Sequence, residues 1–134
     1  MKGLNEIFET VRTHLLSQQA VSEDNFGSCR LRGRNGCRCA IGVLISDEHY
    51  DGGLEGLGIS YYKAGEDGPL LHALALSGVD VSRSEVAALL QDLEDLHDAG
   101  HVAGWPVQLA EVARRHLDRA TDSAATSEFL TVTV

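Results

Sequence analysis

Between Gly27 and Ile45 the chain reads GSCRLRGRNGCRCAIGVLI, placing Cys29, Cys37 and Cys39 among Arg30, Arg32, Arg34 and Arg38. Glycines at positions 33 and 36 let backbone N–H groups turn inward between the guanidinium groups, so a loop of this composition can cradle an anion. If a helix starts near Cys39, its unpaired N–H groups and positive dipole end reinforce the arginines. That arrangement binds phosphate or carboxylate and also lowers a thiol pKa. The competing expectation is that the arginines pair with Asp47, Glu48, Asp51 and Glu55, close by in sequence, in surface ion pairs of little energetic worth. Neither a Walker-type lysine nor a GxGxxG pattern accompanies the loop, so nothing points to a nucleotide.

A thiol at a helix start becomes a nucleophile when a histidine takes its proton and a third group orients the ring. The spacing nominates Cys39 as nucleophile and His97 as base, since His97 falls four residues after Leu93 on the edge of an apolar stripe. Glu94, three residues before His97, is placed to tune the ring. Asp98 is the alternative, although adjacent helical side chains diverge by about 100°. Arg30, Arg32, Arg34 and Arg38 would hold an anionic substrate, with Glu55, Gln91 and Trp105 completing its surroundings. A histidine that merely caps the negative end of its helix is the structural alternative for His97.

Metal chemistry is the rival use of the same atoms. Cys29, Cys37 and Cys39 with His49 or His97 offer four ligands to zinc, but Cys37 and Cys39 are one residue apart and lack a matching second pair. Glu94, His97 and His101 have helical spacing, yet Gly100 should end the helix before His101. No metal and no cofactor is expected.

Two functions follow from one electrostatic feature. The first is a thiol-dependent hydrolase or group transferase acting on a small anionic substrate. The alternative is a non-catalytic module that binds an anionic small molecule or a partner protein through the Arg30–Arg38 loop. An adaptor whose cysteines are only small core residues is a third class.

The elements that must position these residues are mostly helical. Leu4, Ile7, Phe8, Val11 and Leu15 recur at three and four residues, predicting a helix over 4–18. SCRLRGRNG suggests a short hairpin, CAIGVLIS a buried helix, and LGISYYK a short strand. GPLLHALALSG places Pro69 at a helix start and Gly78 at its end. SRSEVAALLQDLEDLHDAG has a capping-box spacing at Ser82 and Glu85, a stripe of Val86, Leu89, Leu90, Leu93 and Leu96, and a stop at Gly100. GWPVQLAEVARRHLDRA starts a last helix at Pro106. These imply a mainly α fold, with α+β as the alternative: a compact single-core domain over 1–119 with about four to five helices and a short β-hairpin. The tail, 120–134, ends in EFLTVTV, which is either loose or adds an edge strand.

Composition sets outer limits. With 134 residues, 43% of them hydrophobic, one domain suffices. A net charge of -9 repels nucleic acid and anionic membranes. No run of about 18 apolar residues or export signal is read, and three cysteines cannot all pair within one chain, so reduced thiols in the cytoplasm are expected.

Cys29 before a glycine turn, CAIGVLI, Asp47, Tyr50, LEGLG, LQDLEDLHD and Trp105 together resemble a family of small bacterial and phage proteins that carry Cys-Ala-x-Gly-x-Leu-Ile and Leu-Gln-x-x-His-Asp. The resemblance spans most of residues 4–117. It implies that Cys29, Cys39, Gly42, Glu55, Gly56, Gln91, His97, Asp98 and Trp105 are family positions, and it carries over no reaction. Where the pattern often has a further cysteine and a proline, this chain has Val43 and Ser46, which weakens a metal role. Polar positions spread over separate segments are more than packing alone demands.

Overall fold

The computed structural model describes residues 1–56 and 68–117, which hold four α-helices: α1 (Leu4–Gln18), α2 (Pro69–Leu76), α3 (Ser84–Asp98) and α4 (Trp105–His116). The fold is mainly helical, and no sheet forms among the described residues. None of these helices is long and apolar enough to cross a membrane.

The helices form where local periodicity dictates. In α1 the buried residues Ile7, Phe8, Val11 and Leu15 lie on one stripe, as the three-and-four spacing requires. Pro69 and Pro106 sit in the first turns of α2 and α4, where a missing N–H costs nothing. Gly100 follows the end of α3 with φ 76°, a conformation that costs glycine no Cβ clash. Helices α1, α3 and α4 pack against one another, and Leu89, Leu90, Leu93, Trp105 and Leu109 fill the space between them. This single core also takes Leu31, Ile41, Leu44 and Ile45 from the segment between α1 and α2.

Three expectations are corrected. The CAIGVLIS segment is not a helix but turns once, in a 3₁₀ turn over Gly42–Leu44. A Cβ on Gly42 would stand 2.0 Å from the Leu31 carbonyl oxygen, so the segment is pressed against a neighbouring strand of chain and has no room for a helix's full circumference. A paired hairpin does not form either: the arginine segment closes through two isolated antiparallel bridges, Glu23 with Cys29 and Arg32 with Arg38. Finally, α3 starts after Arg83 without a side-chain cap, because the Ser82 hydroxyl donates to Asp80. The strand expected at LGISYYK and the tail 120–134 lie outside the described residues.

What replaces regular structure in residues 20–38 is a set of long-range ties. His14 and Gln18 of α1 both donate to the Arg38 carbonyl, at 2.8 and 3.0 Å, and the Arg38 N–H donates to Gln18 Oε1. Ser22 Oγ donates to the Cys37 carbonyl. Gly33 is pressed so close to Glu23 that a Cβ would meet its backbone at 2.6 Å. An irregular segment is thereby held by the helices around it.

Candidate functional site

The ring of His97 is fully buried near the end of α3 and stacks on Trp105, centroids 6.1 Å apart. Its Nε2 accepts the backbone N–H of Ser22 at 2.9 Å. A nitrogen that accepts carries no proton, so the proton of the neutral ring is on Nδ1, which donates to Asp98 Oδ1 at 2.8 Å. Asp98, not Glu94, is therefore the group that orients the ring. The helical divergence of neighbouring residues is overcome because Nδ1 lies next to Cγ, within reach of a short carboxylate on the next residue.

Cys29, in the loop, completes this cluster. Its sulfur, a ring nitrogen of His97 and a carboxylate oxygen of Asp98 lie within 4.8 Å of one another. The thiol donates to Asp98, and its pKa is pushed up to about 11, first by burial and then by the charge of Asp98, with Glu23 and Glu94 adding to it. Cys39 is buried, 6% exposed, and its thiol is pushed up to about 12, chiefly by burial. Gly42 N–H does donate to its sulfur at 3.2 Å, the helix-start effect expected at this position, but burial outweighs it. The expectation of a lowered thiol pKa at Cys39 is corrected accordingly.

Both assigned roles of His97 meet one obstacle. A general base needs a free lone pair, and that of His97 is spent on Ser22. A metal at Nδ1 would require the proton to move to Nε2, where it would point at the Ser22 N–H. Ligating histidines normally donate their second nitrogen to an acceptor, and here a donor faces it. The donor set of Cys29, His97 and Asp98 therefore does not fit a metal.

The arginine loop does cradle an anion, and that anion is Glu55. Its side chain is 7% exposed. Oε1 accepts the Leu31 N–H at 2.8 Å, and Oε2 accepts the Arg32 N–H at 3.1 Å and the Tyr50 hydroxyl at 2.6 Å. Arg30 Nε stands 3.3 Å from Oε1. Glu55 thus fills the place foreseen for a substrate's carboxylate. The other guanidinium groups are also paired: Arg32 and Arg38 with Asp47, and Arg34 with Glu23. Arg32 additionally lies over the Tyr50 ring, 4.3 Å from its centroid.

Two grooves border the cluster and share Cys29 and Asp98 as walls. One, of about 480 Å³, is lined by Val21, Glu23, Arg34 and Cys37. The other, of about 200 Å³, brings together Arg30, Cys39, Glu55 and Glu94. Two predicted substrate residues stay apart from both. Trp105 is wholly buried in the core, and Gln91 donates to Asp95 on the surface of α3. Trp105, with no exposed surface, is corrected as a substrate contact.

Sequence reasoning overlooked Ser22 and Phe26. Nothing marked Ser22, whose role is a backbone N–H. Phe26 is an aromatic in the polar run SEDNFGS, and it is 93% exposed. The Asp24 carboxylate accepts the N–H groups of Phe26 and Ser28, at 2.8 and 3.0 Å, and the Gly27 N–H bonds to the Asp24 carbonyl. The exposed ring therefore rides on a closed turn.

Fold and site together define a class: a small helical scaffold that holds one irregular, cross-tied loop beside two grooves. No family model, no curated protein and no solved structure matches the chain.

Proposed function

We propose that this protein is a non-catalytic recognition module that engages a partner protein through the 20–38 loop, in the cytoplasm, where its three thiols stay reduced. The observation that carries the reading is Phe26, 93% exposed on a turn fixed by Asp24. A large aromatic ring held out at low conformational cost is the kind of residue that anchors protein interfaces. The ties from α1, α3 and Glu55 support it further, because a pre-ordered loop loses little entropy on binding.

A free anionic ligand is the weaker alternative, since each arginine of the loop already has a carboxylate beside it. The thiol-enzyme reading with Cys39 and His97 is weaker still: a thiol pushed up to about 12 holds almost no thiolate near neutral pH.

The test is quantitative capture from a cell extract by immobilised wild-type protein, Phe26→Ala and, as a control on α4, Val107→Ser. The reading expects at least one protein to be retained by wild type and the control and lost by Phe26→Ala. Equal retention by all three removes the proposal.

A further inference from the structure

Ser22 is a buried node of the 20–38 loop. Its N–H donates to His97 Nε2 at 2.9 Å, its carbonyl accepts the Arg30 N–H at 3.0 Å, and its hydroxyl donates to the Cys37 carbonyl at 3.2 Å. Of these three ties, the first alone depends on a group that can change charge. Neutral imidazole offers a lone pair at Nε2, whereas imidazolium carries N–H donors on both nitrogens and no acceptor. A proton on Nε2 would set two N–H groups against each other across 2.9 Å, so the ring cannot hold Ser22 and carry a charge together. We infer that the bond between His97 and Ser22 is a pH-sensitive clasp: proton uptake by His97 releases Ser22 from α3 and loosens the loop while the helices stay packed. This device does not depend on what the loop binds.

The groups around the ring set the direction of the response. From α3, the half-exposed Asp98 accepts the Nδ1 proton at 2.8 Å and remains a partner for the charged ring. The loop contributes Cys29, within 4.8 Å, and Glu23, which together with Glu94 of α3 acts electrostatically on that thiol. Cys39 borders the same groove as Glu94 and Asp98. Helix α4 presents the neutral ring of Trp105, and α1 packs on α3 with its apolar stripe. Among the loop's cations beside these groups, Arg30 is paired with Asp24 and Glu55, and Arg34 with Glu23. The carboxylates thus favour a charged ring, while burial and the Ser22 N–H oppose it. The clasped form holds fewer protons than the open one, so a fall in pH shifts the balance toward opening, by at most about tenfold per pH unit for one proton. Histidine is the side chain whose charge ordinarily changes between about pH 5 and 8, which sets the range to search.

Nitrogen-15 spectra of the full chain, followed from about pH 7.5 to about pH 5, test this. The expected result is that Nε2 of His97 gains a proton and that the backbone N–H signals of Ser22 and Arg30 shift with the same midpoint, while the helical circular-dichroism signal is kept. His97→Gln supplies the control, because its amide oxygen can accept the Ser22 N–H and does not titrate. In that variant both loop signals are expected to hold still over the same range. A His97 that stays neutral down to about pH 5 overturns the inference, as does a protonated His97 with an unmoved Ser22 signal. Loop signals that move equally in His97→Gln, or a helical signal lost in step with His97 protonation, also overturn it. Should His97→Gln fail to fold, the shared or separate midpoints of His97 and Ser22 in the wild type still decide.

Discussion

The backbone N–H of Ser22 donates to Nε2 of His97 at 2.9 Å, joining positions 75 residues apart in the chain and fixing which ring nitrogen holds the proton. One hydrogen bond thereby makes the best histidine of the sequence a clasp between loop and helix and occupies the lone pair that a base would use.

The ring should consequently be the Nδ1–H tautomer. Nitrogen-15 chemical shifts of His97 near neutral pH are expected to show Nδ1 protonated and Nε2 bare. Cobalt(II) titration is expected to give no thiolate-to-metal absorption band from Cys29. Such a band would show that the clasp opens and that the metal argument is wrong.

Asp98 should control the reactivity of Cys29. Its negative charge and its hydrogen bond both disfavour the thiolate, so Asp98→Asn, which keeps an oxygen to accept from His97, is expected to lower the Cys29 pKa. Each unit of lowering gives about tenfold more thiolate at a fixed pH below the pKa. Iodoacetamide labelling followed by mass spectrometry reads this as faster alkylation of Cys29. An unchanged rate would mean that burial alone sets its pKa.

Cys39 carries a signature in alkaline stability. A folded pKa raised from near 9 to about 12 contributes stability that is complete below the unfolded value and lost as pH rises toward the folded one. Three units amount to about 4 kcal/mol by the top of that range. Urea unfolding of wild type and Cys39→Ala between about pH 8 and 11 is expected to show the wild-type advantage shrinking with pH, with Cys39→Ala falling less steeply. Parallel pH profiles would count against a strongly raised thiol.

Glu55 should be worth more to stability than any exposed ion pair. Removing the acceptor of two backbone N–H groups and a phenol strands those donors, at a cost of about 2–4 kcal/mol for Glu55→Ala. Glu55→Gln, which keeps one acceptor oxygen, is expected to lie between. Burial, then Glu55, pushes the Tyr50 hydroxyl up from its ordinary value, so both variants should also ionise Tyr50 at lower pH, read by absorbance near 295 nm. A Glu55→Ala variant as stable as wild type would mean that water replaces the carboxylate at no cost.

The helices were legible because their causes are local. Leu4 to Leu15, Pro69, Pro106 and Gly100 announce α1, α2, α4 and the end of α3 through spacings of a few residues. The loop was legible in content but not in arrangement. Arg30 to Arg38 signalled either a cradle for a ligand anion or ion pairs with carboxylates such as Asp47 and Glu55; the ion pairs form, yet nothing in the segment says that Glu55, 24 residues beyond Leu31, enters the loop and takes its backbone N–H groups. Cys39 misled for a related reason. Its position before a turn is visible in sequence, whereas the burial that dominates its chemistry depends on helices elsewhere. The pair Ser22 and His97 had no sequence signal, because a backbone N–H has the same appearance at every residue.

The ties that hold residues 20–38 also order events in time. Contacts closing over 75 residues carry a larger loop-closure cost than helix contacts and form late. The loop between α1 and α2 is anchored by a histidine near the end of α3, so it cannot reach its final shape until α3 has been synthesised and docked. A growing chain then displays its helices before the surface that residues 20–38 present, and that surface is assembled only once most of the domain stands behind it.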